Sequence, residues 1–193
     1  MSCGWPRCYR RNLSSEPENQ AGESALGNLI ADAQRTALGM DFAFMNPGGI
    51  RADLLAGSVT FGELFTVQPF GNSLVRMTLT GQQIYDLLNL QWINQPFPRT
   101  LKTSGLTYTW DNNRPIGDRI VKVRRNDTPI DRQASFSVTV NNFMAAGGDN
   151  FTVLTQGKNQ VGGPIDLDAL ITYVLGLPQP FSAAIKRRIV RLS

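Results

Sequence analysis

Between residues 106 and 140 apolar side chains recur at every second position in three separate runs: Leu106, Tyr108 and Trp110; Val121 and Val123; Phe136, Val138 and Val140. A period of two places those side chains on one face of an extended chain, which must then be covered by another layer. Turn-forming segments, DNNRPIGD and RNDTP, separate the runs, so the region predicts strands joined by turns. The stretch SLVRMTLT (73–80) has the same period, with Val75, Met77 and Leu79 opposed to Leu74, Arg76 and Thr78. Phe42 to Met45 is a short apolar strand, and the tail KRRIVRLS reads as a closing one.

The covering layer is written in a different period. Leu26, Leu29, Ile30, Ala33 and Ala37 fall on one helical face, with Ser24 able to cap and Gly39 to stop the helix. Thr60 with Glu63, and Thr80 with Gln83, have the spacing of capping boxes. The first opens a short helix ending near VQPFGN. The second opens a helix through about Trp92, with Ile84, Leu87 and Leu88 inward. A last helix is expected from about Asp166 to Leu175, after Pro164. The expected fold class is α+β: a layered domain of mixed, mostly antiparallel sheets with packed helices. Residues 1–22, rich in Ser, Asn, Glu and Pro, are expected as an irregular leader or linker, and 23–193 as the domain.

Two features of composition narrow the chemistry. The 193 residues contain no histidine and only two cysteines, Cys3 and Cys8, both in the leader. A zinc site of the usual kind and a Ser-His-Asp or Cys-His engine therefore cannot be assembled. A two-metal phosphatase site, which leans on imidazole beside carboxylate, is not expected either. The net charge is +4, with basic clusters at Arg7, Arg10 and Arg11, at Arg124 and Arg125, and at Lys186, Arg187, Arg188 and Arg191. Such clusters suit an anionic partner or simply face solvent. No apolar run approaches the roughly 18 residues of a membrane span, and no apolar stretch follows the basic start, so no signal peptide is expected in this chain.

Three loops at element ends carry the candidate binding groups: NPGGIR, VQPFGN and NNFMAAGGDNF. Gly48 and Gly49 leave backbone amides open to an anion, and Arg51 follows them. No Gly-Lys-Ser/Thr follows, so this is not a Walker loop. Phe70 and Phe143 are rings in loops. Gly147 and Gly148 precede Asp149, which taken alone reads as a turn residue.

Taken together, ESALGNLIADAQ, FMNPGGIRADL, VTFGELFTVQPFGNSLVRMTLTG and NNFMAAGGDNF, in this order and spacing, resemble the C-terminal domain of the bacterial 5′-nucleotidase and UDP-sugar hydrolase family, from about Ala21 to Leu192. The resemblance implies that Phe70 and Phe143 sandwich a nucleobase, that Asp149 accepts hydrogen bonds from ribose hydroxyls, and that Arg51 and Asn46 contact the ligand, beside Gly48, Gly49, Gly147 and Gly148. It further implies a nucleotide-recognition role within a phosphoesterase of nucleotide catabolism. The divalent metal pair would belong to an N-terminal metallophosphoesterase domain or partner chain that these residues do not include, so this chain alone is expected to be inactive and to hold no cofactor. A periplasmic or secreted location is implied in the same way. Two positions depart from the family pattern: Glu16 and Gln20 stand where upstream arginines are expected, leaving Arg10 or Arg11 to reach in from the leader. Asn150 replaces the second glycine of GGDG. The competing expectations are a non-enzymatic nucleic-acid or anion binder, and a structural remnant without ligand.

Overall fold

Ser24 accepts a hydrogen bond from the Gly27 amide, and Gly39 adopts a left-handed backbone that closes on the Arg35 and Thr36 carbonyls. The helix between these caps carries one apolar face, so its limits and its packing direction are both set locally. In the computed structural model, residues 7–8 and 12–192 are described. The chain runs β1 (Arg7–Cys8), α1 (Ala25–Leu38), β2 (Phe42–Met45), β3 (Gly57–Ser58), α2 (Phe61–Val67), β4 (Ser73–Thr80), α3 (Gly81–Asn89), β5 (Lys102–Ser104), β6 (Thr107–Asp111), β7 (Ile120–Arg125), β8 (Thr128–Pro129), β9 (Ser135–Asn141), α4 (Asn142–Ala145), β10 (Lys158–Ile165), α5 (Asp166–Gly176) and β11 (Ile189–Leu192).

A five-stranded sheet in the order β10-β4-β9-β2-β5 forms the centre. All its pairings are antiparallel except β2 with β9, which run parallel. A second sheet, β11-β6-β7-β8, is antiparallel apart from the β11–β6 pair, so the tail closes the sheet as a parallel strand. This is the expected α+β class, with antiparallel pairings in the majority.

Two cores flank the central sheet. Phe42, Phe44, Met77, Leu79, Val138 and Val140 pack against α3 and the inner face of the second sheet, including Tyr108, Trp110 and Val123. On the other side Met45 joins Leu26, Leu29 and Ile30 of α1, Leu64 of α2, and Leu167 and Leu170 of α5. Both predicted capping boxes form, at Thr60–Glu63 and Thr80–Gln83. α3 is shorter than predicted and ends at Asn89, followed by turns. The Asn89 side chain accepts from the Ile120 amide and Gln91 from the Leu101 amide, so side chains expected on a continuing helix instead fasten neighbouring segments.

Val121 and Val123 do not share a buried face. A register shift pairs Thr109 with Lys122 but Trp110 with Ile120, which skips Val121 and leaves it 38% exposed while Ile120 and Val123 are buried. Residues 12–22 contain no helix, yet Leu13 is fully buried and bridges Leu54 through paired backbone hydrogen bonds. The Ala21 carbonyl accepts from the Trp110 indole at 3.1 Å, so this segment is packed onto the domain.

The basic clusters are partly internal. Arg188 forms a two-pronged ion pair with Asp32 at 2.7 and 2.8 Å, joined by Lys186 at 3.1 Å, and Arg125 pairs with Asp41 at 2.6 Å. Burial would raise the Asp32 carboxyl, but the Arg188 guanidinium, Ser104 and Lys186 together bring it below the ordinary carboxylate value. The basic residues at 10 and 11 and Cys3 lie outside the described residues.

Candidate ligand-binding cleft

The central sheet delivers every candidate loop to one edge. Because β2 and β9 are parallel neighbours, Asn46 and Asn141 leave the sheet side by side. β4 is antiparallel to β9, with Leu74 opposite Asn141, so the segment entering β4 arrives at that same edge. Lys102 at the start of β5 faces Met45, which brings in Arg99, and Ile165 at the end of β10 faces Ser73, which brings in Asp166.

A cleft of about 470 Å³ opens there, lined by Asn46, Gly48, Gly49, Arg51, Phe70, Asn72, Arg99, Phe143 and Asp149. Seven of the nine residues predicted from sequence thus meet in one place. Gly147 and Gly148 lie outside the lining and act on the backbone. Gly147 has φ of 86°, a left-handed geometry that admits the turn after α4. A Cβ on Gly148 would lie 2.5 Å from the Phe143 ring and 2.6 Å from its carbonyl oxygen, so the ring keeps its place only because residue 148 has no side chain.

The two rings are largely uncovered: Phe70 is 59% and Phe143 46% exposed. The Arg51 guanidinium lies 5.9 Å from the Phe70 ring centre and donates to the Gly48 carbonyl at 3.2 Å. The Arg51 amide is fastened to the Val67 carbonyl at 2.9 Å, which ties the NPGGIR loop to the end of α2.

Asp149 is held from both sides. Asn46 donates to one carboxylate oxygen at 2.7 Å, and Arg99 pairs with the other at 2.5 Å. Asn46 is itself oriented by Asn141, whose amide donates to it at 3.0 Å while its carbonyl oxygen caps α4 through the Met144 amide. Gln95 donates to the Asp149 carbonyl at 2.7 Å. These contacts fix a residue whose own φ of 54° is left-handed, as is that of Asn150 at 63°. Asn150 therefore occupies a backbone position suited to glycine and anchors it by donating to the Ile93 carbonyl at 3.2 Å.

Sequence reasoning does not single out Asn72 or Arg99. Arg99 sits in an irregular segment with no periodic signal, its guanidinium 5.1 Å from the Phe97 ring centre. Asn72 follows PFG immediately, and its adjacency to Phe70 is the signal that could have found it. Glu16 borders a smaller cavity of about 280 Å³ that shares Gly48, Arg51 and Arg99 with the cleft, whereas Gln20 lines a different depression beside Arg187 and Arg191. Among the described residues no three His, Cys, Asp or Glu side chains cluster in a way that could hold a metal ion, and no helix is long and apolar enough to cross a membrane.

Fold and cleft together define an α+β domain that presents one aromatic and polar depression at a single sheet edge. The chain belongs to the family of the 5′-nucleotidase C-terminal domain, whose model matches residues 9–156. It is 40% identical to endonuclease YhcR of Bacillus subtilis over 170 residues, covering 87% of this chain and 14% of that protein. It is 30% identical to protein UshA of Escherichia coli over 157 residues, covering 79% of this chain and 27% of that protein. The 5′-nucleotidase precursor from Thermus thermophilus superposes with a TM-score of 0.87 at 37% identity, over 100% of this chain and 40% of that one. The chain thus spans well under half the length of each of these relatives.

Proposed function

We propose that this domain recognises a nucleotide by its nucleoside half and offers the phosphate ester to a metal-bearing catalytic domain outside these 193 residues. The base stacks between Phe70 and Phe143, and Asp149 accepts from the ribose hydroxyls. The observation that carries this reading is the convergence of two largely uncovered rings and an oriented carboxylate on one cleft. Its volume of about 470 Å³ falls in the range of small-molecule sites.

Stacking supplies about 1–3 kcal/mol per base and tolerates different bases. Each Asp149 oxygen already accepts one hydrogen bond, from Asn46 or Arg99, and an ionised carboxylate oxygen keeps capacity for a second. Arg51 and Arg99 border both the cleft and the adjoining cavity, which suits the anionic end of a nucleotide on that side. Histidine is absent from the sequence, and among the described residues no three Cys, Asp or Glu side chains are placed to hold a metal ion. We assign hydrolysis, an N-terminal partner domain and an exported location to a longer protein, a reading supported by relatives named 5′-nucleotidase and cell wall protein.

Calorimetric titration of the full chain with adenosine, uridine and AMP at low and moderate salt tests this reading. Nucleoside binding that ignores salt and disappears in Phe70→Ala and Asp149→Ala is the expected result. Absence of binding to all three would overturn it. Steeply salt-dependent binding of a polyanion alone would favour a nucleic-acid module instead.

A further inference from the structure

The smaller cavity beside the cleft has a character of its own. Pro17, Pro47, Ile50, Phe97 and Pro98 give it apolar walls, and Glu16 adds a carboxylate. Its volume of about 280 Å³ falls just under the roughly 300 Å³ at which sites for whole small molecules begin, so it suits one part of a ligand whose remainder lies elsewhere. Arg51 and Arg99 form the side that it shares with the cleft.

Phe97 is 59% exposed, as uncovered as Phe70, yet the segment that carries it is fastened. The Asn150 side chain donates to the Ile93 carbonyl at 3.2 Å, Gln95 to the Asp149 carbonyl at 2.7 Å, and the Arg99 amide to the Gln91 carbonyl at 2.9 Å. An exposed ring on a fixed backbone adds little to folding. It offers a ready stacking surface, because its segment is ordered before a ligand arrives. The Arg99 guanidinium lies over this ring, 5.1 Å from its centre, and also pairs with Asp149 in the cleft, so one side chain joins the two sites.

On the nucleoside reading above, the ribose hydroxyls face Asp149 and the 5′-phosphate lies by Arg51 and Arg99. A group carried beyond that phosphate then enters the smaller cavity. A further phosphate would meet Glu16 and the proline walls there, while the Lys102 ammonium is engaged by the Gly22 carbonyl at 2.8 Å. An aromatic ring would instead stack on Phe97, with Glu16 able to accept from an N–H on its edge. Resting on that reading, we propose that the smaller cavity is a second base subsite with Phe97 as its stacking surface, so that the preferred ligand is a dinucleotide joined through the 5′-phosphate of the nucleoside in the cleft. Two linkages share this chemistry: a 3′–5′ phosphodiester, as at the 3′ end of a single strand, and a 5′–5′ diphosphate.

The test is calorimetry of the full chain with AMP, ADP, adenylyl-(3′→5′)-adenosine and diadenosine diphosphate. Arg99 lies over one face of Phe97, so a single face is left for the base. At least one dinucleotide should therefore bind about 5- to 30-fold tighter than AMP, in the lower part of the range for base stacking. ADP, which adds charge but no second base, should gain no such factor. The dinucleotide that gains identifies the linkage. Phe97→Ala should bring the ratio of dinucleotide to AMP affinity near unity, and the ratio cancels any effect passed to Asp149 through Arg99. Phe97→Trp should keep or raise it. Dinucleotides no tighter than AMP, a preference that survives Phe97→Ala, or an equal gain for ADP would overturn the proposal. If AMP binds and is lost in Phe70→Ala while the dinucleotides show no preference, the first clamp stands and only the second subsite falls. If none of the four binds, both readings fall. The comparison of ligands uses the unaltered chain, so it decides the matter even if Phe97→Ala does not fold.

Discussion

Asn46 donates a hydrogen bond to Asp149 at 2.7 Å across 103 positions of sequence. The contact joins the end of β2 to the turn after α4, and it exists because β2 and β9 lie parallel and adjacent in the central sheet. The Asp149→Asn variant tests whether charge or shape matters at this position. It removes the partner of the Arg99 guanidinium while keeping the side-chain volume. Nucleoside affinity should fall about 10-fold, from weaker acceptance of ribose hydroxyls, with the melting temperature lowered by a few degrees. Calorimetry and thermal melting on the same sample separate the two effects.

The rings should behave as surface groups in stability and as anchors in binding. Both are about half exposed, so Phe70→Ala and Phe143→Ala remove little buried area. Each should cost about 5- to 100-fold in nucleoside affinity and leave the denaturation midpoint almost unchanged. A variant that loses its fold would show that its ring belongs to the core.

Gly148→Ala reaches the same ring indirectly. The added methyl group meets the Phe143 ring and carbonyl at distances no real contact sustains, so the ring must move. We expect nucleoside affinity to drop as far as in Phe143→Ala. A cost in stability accompanies it, because the carbonyl is backbone and cannot swing aside.

Lys102 gives a pH signature independent of the cleft. Its ammonium is buried, donates to the Gly22 carbonyl at 2.8 Å, and is pushed down to about 8 by burial, against the pull of Glu16, Glu23 and Glu18. Folding therefore releases a proton between about 8 and 10.5, and stability must rise with pH across that window as the cost of burying charge is lifted. Melting curves from about pH 7.5 to about pH 10 should show the rise. Lys102→Met should melt higher at the neutral end of that range and show no such slope.

The pair between Arg188 and Asp32 places its pH dependence at the acid end instead. The Asp32 carboxyl is held below its unfolded value of 3.8, so its contribution is fully present above that pH and is lost as pH falls through the folded value. Arg188→Met should cost about 3–5 kcal/mol at neutral pH, because it strips the main partner from a buried carboxylate. Urea titration at neutral pH measures this. An acid titration should show the variant unfolding at a higher pH than the wild type.

What is legible in the sequence is whatever local chemistry fixes. Ser24, Thr60 and Thr80 mark helix starts through hydrogen bonds made within three residues, so those elements lie where the sequence reading expects them. β10 is not legible. KNQVGGPI has no alternation, because it is an edge strand with mostly exposed side chains and two register shifts against β4. The shift beside Trp110 likewise inverts Val121, since a bulge depends on the partner strand. In the cleft, the glycine-rich loops announce themselves by composition. Arg99 does not, because its membership follows from strand order: no local pattern encodes that β5 lies beside β2.

The reach of Arg188 back to Asp32 spans 156 positions and has a consequence for the timing of synthesis. The carboxylate of α1 emerges from the ribosome early, and the guanidinium that neutralises it in the folded core emerges only after nearly all of the domain has been made. Until then α1 has no stable place to bury its polar side, and the sheet strand formed by residues 189–192 is absent as well. A nascent chain halted before residue 188 would carry every ligand-facing side chain and all five strands of the central sheet, and would still lack the counter-ion of Asp32 and the strand that closes the second sheet.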